Sequence, residues 1–146
     1  MSRVYQTDGL RFRYPTEWRA LEEIGEEGRT VSLDGDDAAF CTITLLEGRP
    51  AVEDVLDAGV DAYREVYEDF DVEPIECQIA GRPARGRNVD FFCLELISSA
   101  WLRAFRTGAN TVLIVFQSEG NDAENAREVF DMIVDSLDCE SDVFAG

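Results

Sequence analysis

Neither lysine nor histidine occurs among the 146 residues, and all 13 basic residues are arginine. Without histidine the chain lacks the side chain that titrates near neutral pH, and with it the Ser/His/Asp and Cys/His arrangements that activate a nucleophile. Without lysine it can form no Schiff base and has no phosphate-loop lysine. No glycine-rich nucleotide fingerprint is present either; the nearest stretch, Gly81-Arg-Pro-Ala-Arg-Gly86, is too poor in glycine. The four cysteines, Cys41, Cys77, Cys93 and Cys139, lie 36, 16 and 46 positions apart, without the C-x-x-C pairs that zinc sites use. No metal, no cofactor and no catalytic residue are therefore expected. Long apolar runs are missing as well. The longest stretch free of charge, Thr107 to Ser118, has 12 residues, short of the roughly 18 that span a bilayer. The opening MSRVYQTDGL has no apolar signal core, so a cytoplasmic location is the expectation.

What the chain has in abundance is acid. Thirty-one Asp and Glu against 13 Arg leave a net charge of −18. Such a field repels phosphate backbones and anionic headgroups, which excludes nucleic acid and membrane surfaces as expected partners. The charge is segregated: Arg82, Arg85, Arg87, Arg103 and Arg106 face only Asp90 and Glu95 within one segment, a local +3 against −21 elsewhere. Two readings are open, a docking patch for an acidic partner or arginines paired with nearby carboxylates. The overall excess of acid also fits a salt-rich cytoplasm, or alternatively a GC-rich genome with an acidic surface kept for solubility.

The length suits one domain, 1–146, and 45% hydrophobic residues suffice for a core. Leu10, Phe12 and Tyr14 alternate with Arg11 and Arg13 as in a half-buried strand ended by Pro15, and Trp18 follows as a core anchor. Residues 30–33 and 38–46 flank Asp34-Gly35 as a hairpin. From Val52 to Phe70, apolar residues recur at helical spacing, opposite a face crowded with acids. Ile75, Cys77 and Ile79 alternate as a short strand broken at Gly81 to Pro83. Residues 84–97 form one further run, Ala100 to Thr107 another after Ser98-Ser99, and Val112 to Phe116 a strand apolar on both sides. The closing helix holds Ala126, Val129, Phe130, Ile133, Val134 and Leu137, with Asn121 and Glu124 at capping-box spacing. Three cysteines fall in strands and read as small hydrophobes. Cys139, after the last helix and among acids, reads as an exposed thiol of low reactivity. The pattern as a whole predicts an α+β fold, a mostly antiparallel sheet with helices packed on it.

The segment Gly9-Leu-Arg-Phe-Arg-Tyr-Pro-Thr-Glu-Trp18, with the later order of middle helix, strand into Gly81-Arg-Pro83, long strands and a closing helix ending Ile133-Val-Asp-Ser-Leu137, resembles the Mog1/PsbP-like superfamily over about Gly9 to Leu137. The resemblance implies an α/β/α sandwich. It also implies binding roles more than catalytic ones: members range from photosystem proteins through a Ran-binding import factor to secretion chaperones. It carries over no functional residue, because the matching positions are those of the fold.

These readings converge on a non-catalytic protein-binding or adaptor module, with a protein partner or a second copy docking at Arg85, Arg87, Trp101, Arg103, Phe105 and Arg106. Trp101, Arg103 and Phe105 share one strand face, and aromatics with arginine are what interface hot spots favour; packing under a helix is the alternative. The competing functions are a chaperone for apolar segments and a hydrolase built on a carboxylate pair. Self-repulsion at this charge density makes a direct prediction: the melting temperature rises steeply between low and molar potassium chloride as the charges are screened. A flat profile would remove the salt-adapted reading.

Overall fold

Val112 to Phe116 has no polar face, so a strand containing it must be covered on both sides. In the computed structural model this strand is the middle of a seven-stranded, wholly antiparallel sheet. Residues 1–7, 9–35, 39–93, 95–120 and 123–139 are described, without the side chains of Cys93 and Ala123. In chain order the elements are β1 (Ser2–Thr7), β2 (Leu10–Pro15), β3 (Arg19–Ile24), β4 (Gly28–Asp34), β5 (Phe40–Leu46), α1 (Val52–Val66), β6 (Phe70–Ile79), β7 (Arg82–Cys93), β8 (Leu96–Arg106), β9 (Thr111–Glu119) and α2 (Ala123–Asp135). The large sheet runs β3-β4-β5-β9-β8-β7-β6, and β1 and β2 form a separate hairpin.

Strand alternation divides the core in two. Val112, Ile114 and Phe116 point to one face with Leu33, Val31, Ile43, Cys41 and Phe105; there α2 and the β1–β2 hairpin close over them through Leu10, Phe12, Val129, Phe130 and Ile133. Phe116 stacks between Trp18 and Trp101, with ring centroids 6.0 and 5.6 Å away, and meets the edge of Phe130 at 5.6 Å. Rings arranged in this way add about 0.5–1.5 kcal/mol per pair beyond the area they bury. On the opposite face Val55, Leu56 and Val60 of α1 pack on Val89, Phe91, Ala100, Leu102 and Ala104. The result is an α/β/α sandwich with the hairpin as a further piece of one layer.

Several sequence expectations are corrected. The helix expected to reach Phe70 ends at Val66: Tyr67 is already extended, and Phe70 opens β6 opposite Phe91. Both segments feed the same aromatic cluster of Tyr63, Tyr67 and Phe91, so helical and extended residues shared one apolar spacing. Residues 84–97 are not one strand. The β7–β8 hairpin turns inside this run, where Glu95 takes φ 68° without any glycine or proline to announce it. Ser98-Ser99 is no break, but lies within β8. Pro83 also lies within a strand, the turn being made one step earlier by Ala80 and Gly81 at φ 53° and 77°. β1 and β3 were not foreseen at all, since their exposed polar residues hide the pairing. The proposed cap Asn121 and residue 38, the expected first residue of the second hairpin strand, lie outside the described residues.

Two glycines set how closely the layers approach. At Gly86 an added Cβ would lie 2.5 Å from the Leu102 carbonyl oxygen and 2.8 Å from Arg103 Cδ. At Gly59, on α1, it would meet only the end of the Leu102 side chain at 2.6 Å. Backbone cannot yield where a leucine methyl can, and alanine also favours a helix by about 1 kcal/mol over glycine. Gly86→Ala should therefore lower the unfolding free energy by about 1–3 kcal/mol, while Gly59→Ala should leave it within about 1 kcal/mol of the parent. Denaturant unfolding of the two variants checks the order, which equal losses would contradict.

Candidate functional site

The six arginine and aromatic residues singled out from the sequence do not form one patch. Trp101, Arg103 and Phe105 lie on one face of β8, as the alternation requires, but that face is roofed by α2. Phe105 is fully buried and Arg103 is only 5% exposed. Its guanidinium donates to Asn88 Oδ1 at 2.8 Å and to the Leu102 carbonyl at 2.9 Å, and lies over the Phe130 ring at 5.2 Å. Gly86 leaves the space its side chain crosses. Trp101 is half-buried against Phe116 and Phe130, so the expected docking strip is mostly interior packing, and an Arg103→Glu substitution would test folding rather than assembly. Burial also pulls the Arg103 pKa below its ordinary value.

Arg85, Arg87 and Arg106 project from the other face and gather around the start of α1. Arg85 Nη1 and Arg87 Nη2 donate to the two oxygens of Glu53 in the first helical turn, and Arg87 lies 4.0 Å from Asp57. Arg106 donates to the carbonyls of Arg49 and Pro50, just ahead of the helix. No side chain caps α1 at Ala51, so these arginines hold the helix start from the sheet side. The Arg85 and Arg87 hydrogen bonds keep the Glu53 carboxyl below the usual carboxylate range. For these two arginines the paired reading describes the geometry.

Alternation and register reveal a surface that the sequence reading missed. On the face of the sheet that carries α1, the helix rests on β7, β8 and β9. Beyond it, β4 and β5 present Thr30, Ser32, Thr42 and Thr44 on the same face, all half-exposed, with Leu21 of β3 opposite Ser32. Thr30 and Thr44 share a hydrogen bond of 3.1 Å across the strands. On the reverse of these strands the β1–β2 hairpin lies against the sheet, tied down by Tyr5 to Glu22 at 2.7 Å and by Arg29 to Thr7 at 2.7 Å. Among the described residues, nothing equivalent covers the threonine side. Where this open area meets α1 there is a groove of about 540 Å³, floored by Leu46, Pro50, Val55, Ala58, Gly59 and Leu113 and rimmed by Glu26, Glu27, Glu47 and Asp54. The signal for it was the run of hydroxyl residues in strands whose other face is aliphatic.

A smaller exposed area lies at the tip of the β7–β8 hairpin. Phe92 and Ile97 oppose one another in register and are 58% and 55% exposed. Phe91, its neighbour in sequence, is buried under α1, so only the register distinguishes the two phenylalanines.

Two of the thiols, Cys41 and Cys139, are shifted away from reactivity. Burial pushes the Cys41 thiol up and raises Cys139 to about 11. Cys139 is buried rather than exposed, which corrects the sequence reading: desolvation raises its pKa first, and Asp138 adds to it only after Arg82 has opposed it. Cys41, Cys77 and Cys139 are free. Tyr5 and Tyr63 rise to about 12, chiefly by burial, and Glu22 falls through its hydrogen bonds from Tyr5 and Thr7. Among the described residues no cluster of three His, Cys, Asp or Glu could hold a metal ion, and no helix is long and apolar enough to cross a membrane.

No family model and no curated protein matches the sequence. Solved structures do match in shape. The cyanobacterial PsbP, CyanoP, from Synechocystis is similar with a TM-score of 0.71 at 12% identity, covering 94% of this chain and 92% of that one. A point mutant of Mog1 matches with 0.65 at 10% identity over the whole of both chains. LpqN of Mycobacterium tuberculosis, described as involved in cell envelope biogenesis, matches with 0.56 at 10% identity over 94% of this chain and 90% of its own. At these identities the likeness is one of fold, and the chain has the Mog1/PsbP-like fold.

Proposed function

We propose that the chain is a non-catalytic docking module for a protein partner, and that the contact is made on the half of the sheet beside α1. The observation that carries this reading is the unequal cover of the two faces. Strands β3 to β5 are closed on one side by the β1–β2 hairpin, yet on the other carry an uncovered surface centred on Leu21, Thr30, Ser32, Thr42 and Thr44, with the charged Arg19, Glu23 and Asp34 at its margin. Short hydroxyl side chains on β-branched frames suit a pleated surface that is wet when free and flat enough to be covered. A sheet face that needed no partner would more simply be charged across its middle as well as at its margin, as the outer face of α1 is, with Asp57, Asp61 and Glu65 exposed.

Catalysis is the weaker reading because the chemistry runs the wrong way. A general acid needs a carboxyl raised towards neutrality and a thiol nucleophile needs a lowered pKa. Here hydrogen bonds hold the Glu22 and Glu53 carboxyls down, and burial pushes the Cys41 and Cys139 thiols up. The Mog1/PsbP-like resemblance, which implies binding roles more than catalytic ones, agrees with this preference but adds no residue to it.

The test is to mutate the open face. Ser32→Arg with Thr42→Arg places two long charged side chains on half-exposed positions while sparing both cores. Affinity capture from the native host at its own salt concentration should recover a stoichiometric partner with the parent chain. The double variant, with its melting temperature unchanged, should lose that partner. Equal recovery by both chains, or no partner with either, would contradict the reading.

A further inference from the structure

Three cavities on the described surface differ in charge, and one of the three is single-signed. A cavity of about 470 Å³ sets Arg85 and Arg106 against Glu53 and Glu76. Another, of about 530 Å³, sets Arg11 and Arg13 against Asp135 and Asp138. The groove beside α1 has Glu26, Glu27, Glu47 and Asp54 at its rim and no basic residue in its lining. Among the described residues none of these four carboxylates is within ion-pairing distance of an arginine, whereas Glu53 and Asp57, on the other flank of α1, are paired with Arg85 and Arg87. The helix thus separates a neutralised flank from an uncompensated one, and the uncompensated one has an apolar floor.

We propose that this groove takes a cationic segment of a protein partner that is apolar along one side, with its apolar residues on Leu46, Val55 and Leu113 and its lysines or arginines between the rim carboxylates. The proposal rests on the docking reading above and names what docks. Charge complementarity selects this occupant. A second copy of the chain would bring a further −18, and a nucleic acid or an anionic lipid surface would bring the same sign to the same rim. The apolar floor explains why cations alone would not suffice: diffusible potassium can screen the rim, but only a segment with an oily side removes Leu46 and Leu113 from water. On the helix side the groove is lined by the exposed Ala58, whose single methyl leaves room for a chain to lie along it.

The test uses three synthetic helix-forming peptides and fluorescence anisotropy at one fixed potassium chloride concentration that keeps the fold intact. One has leucines on one face and lysines on the other, the second is the same composition scrambled, and the third replaces lysine by glutamate. The first should bind at least about tenfold more tightly than the scramble, and the glutamate peptide should not bind. Glu47→Gln combined with Asp54→Gln, and separately Ala58→Trp, should each weaken the first peptide by at least about fivefold while leaving the melting temperature of the chain unchanged. Equal binding of patterned and scrambled peptides would reduce the effect to general attraction by an acidic surface and overturn the proposal. Binding indifferent to both variants would do the same. Either failure leaves the docking reading standing on the capture experiment, which depends on Ser32 and Thr42 and not on the rim.

Discussion

The fold depends on burying β9 from both sides. Its run of five apolar residues leaves no edge or face that water could occupy without cost, so the strand must sit mid-sheet with a layer on each side. Everything else in the architecture follows from how those two layers are supplied. One comes from α2 and the β1–β2 hairpin, which share the cluster around Phe116 and are joined to each other by the reciprocal backbone pair of Arg11 and Asp138, at 2.9 and 2.8 Å. The other comes from α1 alone.

A single helix of 15 residues cannot cover a seven-stranded sheet. Helices pack about 10 Å across and strands lie nearly 5 Å apart, so one helix shields two or three strands. α1 shields β7, β8 and β9, held at its start by Glu53 between Arg85 and Arg87. Of the four strands left over, β6 at one edge and β3 to β5 at the other, β4 and β5 are where the sequence exchanges aliphatic for hydroxyl residues. Their free side is thus a consequence of layer arithmetic, and the groove between it and α1 follows from the same mismatch.

Much of this was legible beforehand. The central position of β9, the β4–β5 hairpin, the anchoring role of Trp18 and the closing helix each rest on a pattern that one reading satisfies. The errors share a cause, which is that apolar spacing reports burial and not the path of the chain. Phe70 looked helical because it packs beside Tyr67 on the same Phe91. The β7–β8 turn was hidden because Glu95 adopts a left-handed backbone that sequence reserves for glycine or asparagine. Trp101 and Phe105 were correctly put on one face, but whether α2 or solvent lay above them is a question of topology that spacing cannot answer. Arg85 and Arg87 were grouped with the other arginines between Arg82 and Arg106, whereas their partner Glu53 lies more than 30 positions away, beyond any local pattern. The open threonine face had a local signal, alternating hydroxyl and aliphatic residues in Thr30 to Leu33 and Cys41 to Leu45, whose meaning depended on knowing which face a helix would cover.

The unequal cover of the sheet is open to direct measurement, because alternate residues of the same strands report on opposite faces. A neutral, soluble gadolinium chelate broadens methyl resonances in proportion to their approach to solvent. In the free chain the methyls of Thr30, Thr42 and Thr44 should broaden strongly, while those of Val31, Leu33, Ile43 and Ile114 should be almost unaffected. Comparable broadening of the two sets, or protection of the threonines in the absence of a partner, would contradict the account.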